Sequence, residues 1–328
     1  MAVDLPTFAD IEAAAARIEP FACRTPLVEN AGLNRQLGAR VLLKLETLQR
    51  TGSFKFRGAL NRIAKIAPAE RGKGVVAFSS GNHAQGVAAA AALFGVPALI
   101  VMPKDAPRAK LEGTRAYGAE IVFYDRVKDD REAIATALCE ERGATLVRPF
   151  DDPDVVAGQG TVGLEIAQDA ALLGVTLDAV LAPCSGGGLI GGIALAFSVL
   201  SPSTRIVSVE PENYDGMRRS LAAGARTAAP GGAPSVADGL MAPIPGEIPF
   251  ALAVRHLTDA LTISDSELAN AVAYAAQTLK LIVESSGAAG LAALVSGKYA
   301  VAGKAVAAVL TGANGDFSAV IEACAQAR

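Results

Sequence analysis

The sequence predicts an α/β protein built from open, mostly parallel sheets with helices on both faces. Three observations carry this. Short apolar runs of strand length alternate with alanine-rich stretches of helical length along most of the 328 residues. Hydrophobic residues make up 51 % and charged residues 19 %, a globular balance that fills a sizeable core. Three consecutive glycines, Gly186 to Gly188, fall between an apolar run and a helical one, where such sheets hold ligands beyond the carboxyl ends of their strands.

Taken in order, an amphipathic helix is predicted over Phe8–Ile18 and a strand over Val41–Leu45. Ser53 is placed as the N-cap of a helix running to about Ile66. Strands follow at Val75–Phe78, Ala98–Met102, Ile121–Phe123 and Thr145–Val147, separated by helices near His83–Phe94, Pro107–Tyr117 and Asp130–Arg142. Beyond Pro149 the alternation resumes: helix Asp154–Asp169, strand Ala179–Ala182, helix Leu189–Leu200, strand Arg205–Val209. Residues 211–262 break the rhythm; 228–235 and the prolines at 243, 245 and 249 read as loop. Two helices, about 265–280 and 286–297, strand Ala305–Leu310 and a helix from Phe317 complete the chain. Two lobes are expected, a large one from residues 1–70 and 150–328 and a small one from 71–149, with a ligand between them.

Composition excludes several function classes. A net charge of -3 offers no clustered basic face for nucleic acid or a membrane surface. Cys23, Cys139, Cys184 and Cys324 are far apart and form no metal-spaced cluster, which fits a reducing cytoplasm. The first residues lack the basic and apolar segments of a signal peptide, and no apolar stretch is long enough to span a bilayer. The only histidines are His83 and His256, so lysine is the leading candidate for proton transfer.

The stretch Ser185–Gly192 reads as a phosphate cradle, because glycine backbone N–H groups can wrap an anion at a helix N-terminus. It also matches the dinucleotide pattern through Gly186, Gly188 and Gly191, with Glu210 at the end of a later strand. A nicotinamide-dependent dehydrogenase therefore stands as a rival from this segment, and a glycine turn needed only for packing stands beside both. The other distinctive stretch is Ser53–Gly58, in which Lys55 lies between Phe54 and Phe56. Burial there lowers a lysine's pKa, which suits a Schiff-base nucleophile.

Ser53-Phe-Lys-Phe-Arg-Gly58, Ser79-Ser-Gly-Asn-His83, the 185–192 loop and Thr311-Gly-Ala-Asn314 occur in that order. With Ala157-Gly-Gln-Gly-Thr161 and Ala237-Asp-Gly239, the chain resembles the fold-type II pyridoxal-phosphate enzymes, whose fold is that of the tryptophan synthase β chain. The branch resembled holds the threonine and serine dehydratases, the 3-hydroxyaspartate dehydratases and serine racemase.

The resemblance implies roles. Lys55 forms the internal aldimine and serves as general base. Phe54 and Gly239 flank the cofactor ring, and Asn82 binds its hydroxyl. Ser185, Gly186, Gly187, Gly188 and Leu189 hold the phosphate, and Thr311 faces the ring nitrogen. Ser79, Ser80, Gly81, Asn82 and His83 receive the substrate carboxylate. A neutral Thr311 leaves the ring nitrogen unprotonated and favours β-elimination. The implied activity is dehydration of serine, threonine or 3-hydroxyaspartate, with a serine or aspartate racemase as the alternative and a homodimer as the assembly. No regulatory domain is expected after Thr311.

Three features bear on the branch. Racemases and hydroxyaspartate dehydratases of the family share the second serine of Ser79-Ser80, so Ser80 either relays protons or caps a helix. Arg148 either meets a second substrate carboxylate or forms a surface ion pair. Glu210, Tyr214 and Asp215 are candidate ligands for Mg2+ or Ca2+, although the family's second acid belongs six residues after the glutamate, where Gly216 stands.

Overall fold

The computed structural model describes residues 4–326. Its strands are β1 (Leu27–Glu29), β2 (Arg40–Leu45), β3 (Val75–Phe78), β4 (Ala98–Pro103), β5 (Glu120–Tyr124), β6 (Thr145–Leu146), β7 (Ala179–Pro183), β8 (Arg205–Pro211), β9 (Asp259–Ile263) and β10 (Ala305–Leu310). Six form one sheet in the order β1-β2-β10-β7-β8-β9, and four form another in the order β5-β4-β3-β6. Every pairing is parallel except that of β1 with β2. The inner strands are buried along their length, which is why they read as continuous apolar runs.

The strand orders place the ligand sites. From β7 the chain proceeds to β8 and β9 on one side, while β10 lies on the other. From β3 it proceeds to β4 and β5, while β6 lies on the other side. The carboxyl ends of β7 and β3 are thus the switch points of their sheets, where a crevice opens. The glycine loop follows β7, and the Ser79–His83 turn follows β3.

Helix Phe8–Ile18 lies where expected, held by a capping box between Thr7 and Asp10. Ser53 is not the N-cap of the next helix, which spans Lys55–Ala64 after a helical Phe54; the Ser53 hydroxyl is buried without a partner. The Phe54 N–H instead donates to the Thr311 hydroxyl at 3.1 Å, so a residue from the end of β10 does the capping work. Residues 211–262 carry more structure than their prolines suggested: helices Gly216–Ala223 and Glu247–His256, then β9. Pro249 sits in the first turn of its helix, where a missing N–H costs nothing. β9 is a half-buried edge strand, so its apolar pattern is weak.

The Lys55 helix is pinned from behind. Arg57 is buried and pairs with Glu46 at 2.8 Å and Glu165 at 2.7 Å, while Lys44 reaches Glu165 at 2.6 Å. Gly58 meets Gly158 of the Pro153–Leu172 helix backbone to backbone; a Cβ on Gly158 would lie 2.6 Å from the Gly58 Cα. The arginine and glycine of the Ser53–Gly58 motif therefore set the depth and angle of the helix that carries Lys55.

Candidate active site

A cleft of about 1050 Å3, partly open to solvent, lies between the two sheets. Phe54, Lys55, Ser79, Ser80, Asn82 and His83 line it. Ser185 to Leu189, Gly239 and Thr311 complete the wall. Motifs scattered over more than 250 positions are thus brought to one place.

Lys55 Nζ donates to the Pro149 carbonyl at 2.6 Å and lies 5.2 Å from the centre of the Phe54 ring. Burial lowers its pKa to about 8. Its neighbour His83 donates from Nε2 to the Val147 carbonyl at 2.9 Å. Burial, and then the charge of Lys55, lower the His83 pKa to about 3. His83 is therefore held neutral, and Lys55 is the cleft amine whose pKa burial brings down toward neutrality.

The glycine loop fits a phosphate. The helix Gly188–Leu200 starts on it, and its first N–H groups have no intrahelical partner. Gly187 adopts φ +91, and a Cβ there would lie 2.6 Å from Met217 Cε. A Cβ on Gly186 would lie 2.3 Å from the Phe150 ring. Only bare backbone fits, so the donors stay open to an anion. The Ser185 hydroxyl accepts from the Ala242 N–H at 3.0 Å, tying the loop to the segment after Gly239. Gly239 N donates to Ser286 Oγ at 2.9 Å.

The model of the pyridoxal-phosphate-dependent enzymes matches residues 18–312. The chain belongs to that family. It is 44 % identical to the L-threo-3-hydroxyaspartate ammonia-lyase of Pseudomonas sp over 96 % of this chain and 97 % of that one. It is 38 % identical to the serine racemase of Schizosaccharomyces pombe over 95 % of each. The crystal structure of a T.th. threonine deaminase superposes with a TM-score of 0.89 at 45 % identity, covering 95 % of this chain and 99 % of that one. The nicotinamide alternative falls away. Glu210, its candidate ribose ligand, is buried in accepting the N–H groups of Met217 and Arg218 at 2.9 and 2.8 Å.

In this pyridoxal-phosphate enzyme the substrate turn is more selective than the sequence implied. Ser79 N–H is spent on the Val101 carbonyl at 3.1 Å, and Gly81 N–H on Ser79 Oγ at 3.1 Å. Gly81 does not line the cleft; it is covered by Lys110, whose Cδ would lie 2.2 Å from a Cβ there. The N–H groups of Asn82 and His83 open a helix, that of Ser80 lies just before its cap, and none of the three has such a partner. Ser80 makes no side-chain cap, so the capping role read for it fails.

Arg148 is not in the cleft. It pairs with Glu132 at 3.1 Å, both side chains well exposed. Besides Lys55, the cleft takes its cations from Lys110, Arg126 and Arg131, which the sequence reading missed because they belong to no motif.

Glu210, Tyr214 and Asp215 do not fit a divalent cation. Both Glu210 oxygens accept backbone N–H groups, and burial raises its pKa to about 8. Asp215 is held by Arg218 and by Arg219 at 2.8 Å. The Tyr214 hydroxyl points to the Ala233 carbonyl at 3.2 Å. Two guanidinium groups stand where a cation would need open carboxylate, and no cluster of three acidic, histidine or cysteine residues suited to a metal occurs among the described residues.

Proposed function

We propose that this enzyme eliminates water from a small β-hydroxy amino acid to give a 2-oxo acid and ammonia, and that it favours a substrate with a second carboxylate, such as 3-hydroxyaspartate. The carrying observation is Arg131. It lines the cleft 5.5 Å from the centre of the Phe78 ring, and no carboxylate lies within ion-pair distance of it among the described residues. Arg126 pairs with Asp105 and Lys110 with Asp238, so Arg131 is, beside the proposed Schiff-base residue Lys55, the cleft cation left to meet an incoming acid.

Pyridoxal phosphate, when bound, draws electrons from the substrate's α-carbon and acidifies its C–H bond. The chain's residues do the rest. The 185–189 loop anchors the phosphate, and Phe54 and Gly239 bound the ring. Thr311 accepts the Phe54 N–H, which leaves its own proton to donate. The helix N-terminus at Ser80, Asn82 and His83 takes the substrate's α-carboxylate. Lys55, uncharged above about pH 8, takes the α-proton. Lys55 passes that proton to the Cβ hydroxyl, which departs as water, and the freed enamine takes up water to give the 2-oxo acid and ammonia.

We also assign residues 1–70 and 150–328 to a large lobe and 71–149 to a small one. A homodimer is supported by Phe317 and Ile321, exposed one turn apart on the last helix. The four unpaired cysteines suit a reducing cytoplasm. Ser80, its hydroxyl unpartnered in the cleft, supports a minor racemase activity.

The test adds L-serine, L-threonine and the 3-hydroxyaspartate isomers to the holoenzyme and assays 2-oxo acid. A 3-hydroxyaspartate isomer with the highest kcat/KM is expected, and Arg131→Ala should lower that value about tenfold or more while sparing serine. Equal losses for both substrates would remove the second-carboxylate reading.

A further inference from the structure

We propose that Lys110 is a positioning residue that latches the small lobe onto the large one and orients the groups facing cofactor and substrate. It stands on the helix Arg108–Ala116, between β4 and β5 of the four-stranded sheet. Its side chain is buried and crosses to the other lobe, where Nζ lies 2.8 and 3.1 Å from the Asp238 carboxylate and 3.6 Å from Glu284 Oε2. Both acids precede turns of the large lobe: Asp238 is next to Gly239, and Glu284 opens the turn Ser285–Gly287.

Each contact leads to a site residue. Glu284 Oε1 accepts from Asn82 Nδ2 at 2.5 Å, and Asn82 Oδ1 accepts from Asn314 at 2.8 Å, so Glu284 sets which way the Asn82 amide faces. Asp238 shares Ser286 with Gly239, whose N–H donates to the same hydroxyl. The Lys110 stem packs on Gly81 and so holds the substrate turn from behind. One small-lobe cation thereby ties the substrate turn, Asn82 and the Gly239 wall into one arrangement. Without it, Glu284 Oε2, which has no hydrogen bond of its own, would lose the cation beside it and be left buried without a partner. The lobes would then close with no fixed register.

This rests on the reading of the cleft above, and two measurements keep them apart. In the holoenzyme, Lys110→Met should raise KM and weaken cofactor retention, each by about tenfold or more. Lys110→Arg should recover most of both, because a guanidinium spans the same two carboxylates. A Lys110→Met enzyme with KM and cofactor affinity within twofold of the wild type, whatever its Tm, overturns the latch. In the cofactor-free protein, Lys110→Met should speed hydrogen exchange at residues 79–83 and at 237–240 together, on both sides of the cleft. Unchanged exchange there overturns the latch even if the cofactor reading stands. Should Lys110→Met fail to fold, Asp238→Asn keeps the shape and should raise KM in the same direction; an unchanged KM in that variant has the same negative meaning.

Discussion

Two lysines, one beside each sheet, line the same cleft, and the chain treats them in opposite ways. Lys55 has a backbone carbonyl for a partner and no carboxylate, and burial lowers its pKa to about 8. Lys110 is also buried, which pulls its pKa down, but Glu284 and Asp238 more than reverse this and hold it above the usual lysine value. Burial alone therefore does not assign a lysine its task. The carboxylates placed around it decide whether it is a nucleophile and base or a fixed charge.

The contrast can be broken most severely at the unpaired lysine. Lys55→Ala should cut turnover by more than about a thousandfold, measured as 2-oxo acid release, since it removes the cleft amine that burial makes available as a neutral base. The anion cradle comes next. Gly186→Ala places a Cβ against the Phe150 ring. It should weaken cofactor affinity by about a hundredfold in an absorbance titration of the apo-protein, with the fold retained by circular dichroism.

A pH series sharpens the difference between the lysines. On the proposed role of Lys55 only its neutral amine captures the cofactor, and below about pH 8 the ammonium form prevails. The rate of cofactor capture by the apo-protein should rise with pH through that value and level off above it. A rise centred near the ordinary 10.5 would mean that the cleft does not desolvate Lys55. The smallest effects are expected away from the cleft. Arg148→Ala should leave KM unchanged and cost less than about 1 kcal/mol by denaturant unfolding. Exhaustive chelation should leave Tm and activity unmoved, because Arg218 and Arg219 occupy the Asp215 carboxylate. A loss restored by Mg2+ would show that those ion pairs open.

The fold was largely legible because strand and helix periods differ and because parallel strands, buried on both faces, stay apolar along their length. Strands β3 and β10 and the first helix fall at their expected bounds. The weak points were local. β9 lies at a sheet edge and needs little apolar surface. Ser53 has the right residue type for a cap, but Thr311, more than 250 positions away, takes the N–H it was expected to serve near.

The site divides along the same line. Lys55, the glycine loop and the Ser79–His83 turn could be read from order and spacing, because each needs a particular residue type at a particular backbone position. Arg148 and Arg131 could not be told apart in that way. Both are arginines beside the small sheet, and only the tertiary structure turns one to Glu132 and the other to the cleft.

The sequence by itself determined the architecture and singled out the lysine and the glycine loop that line the cleft, since those depend on local chemistry: hydrophobic period, a lysine inside a helix start, and glycines that leave backbone N–H groups bare. The tertiary structure decided which charges face the cleft, which acids surround Lys110, and that Glu210 and Asp215 are spoken for by helix N–H groups and arginines. Charge pairing acts between residues distant in the chain, and its outcome is set by which side chains the two sheets bring within a few ångströms of each other.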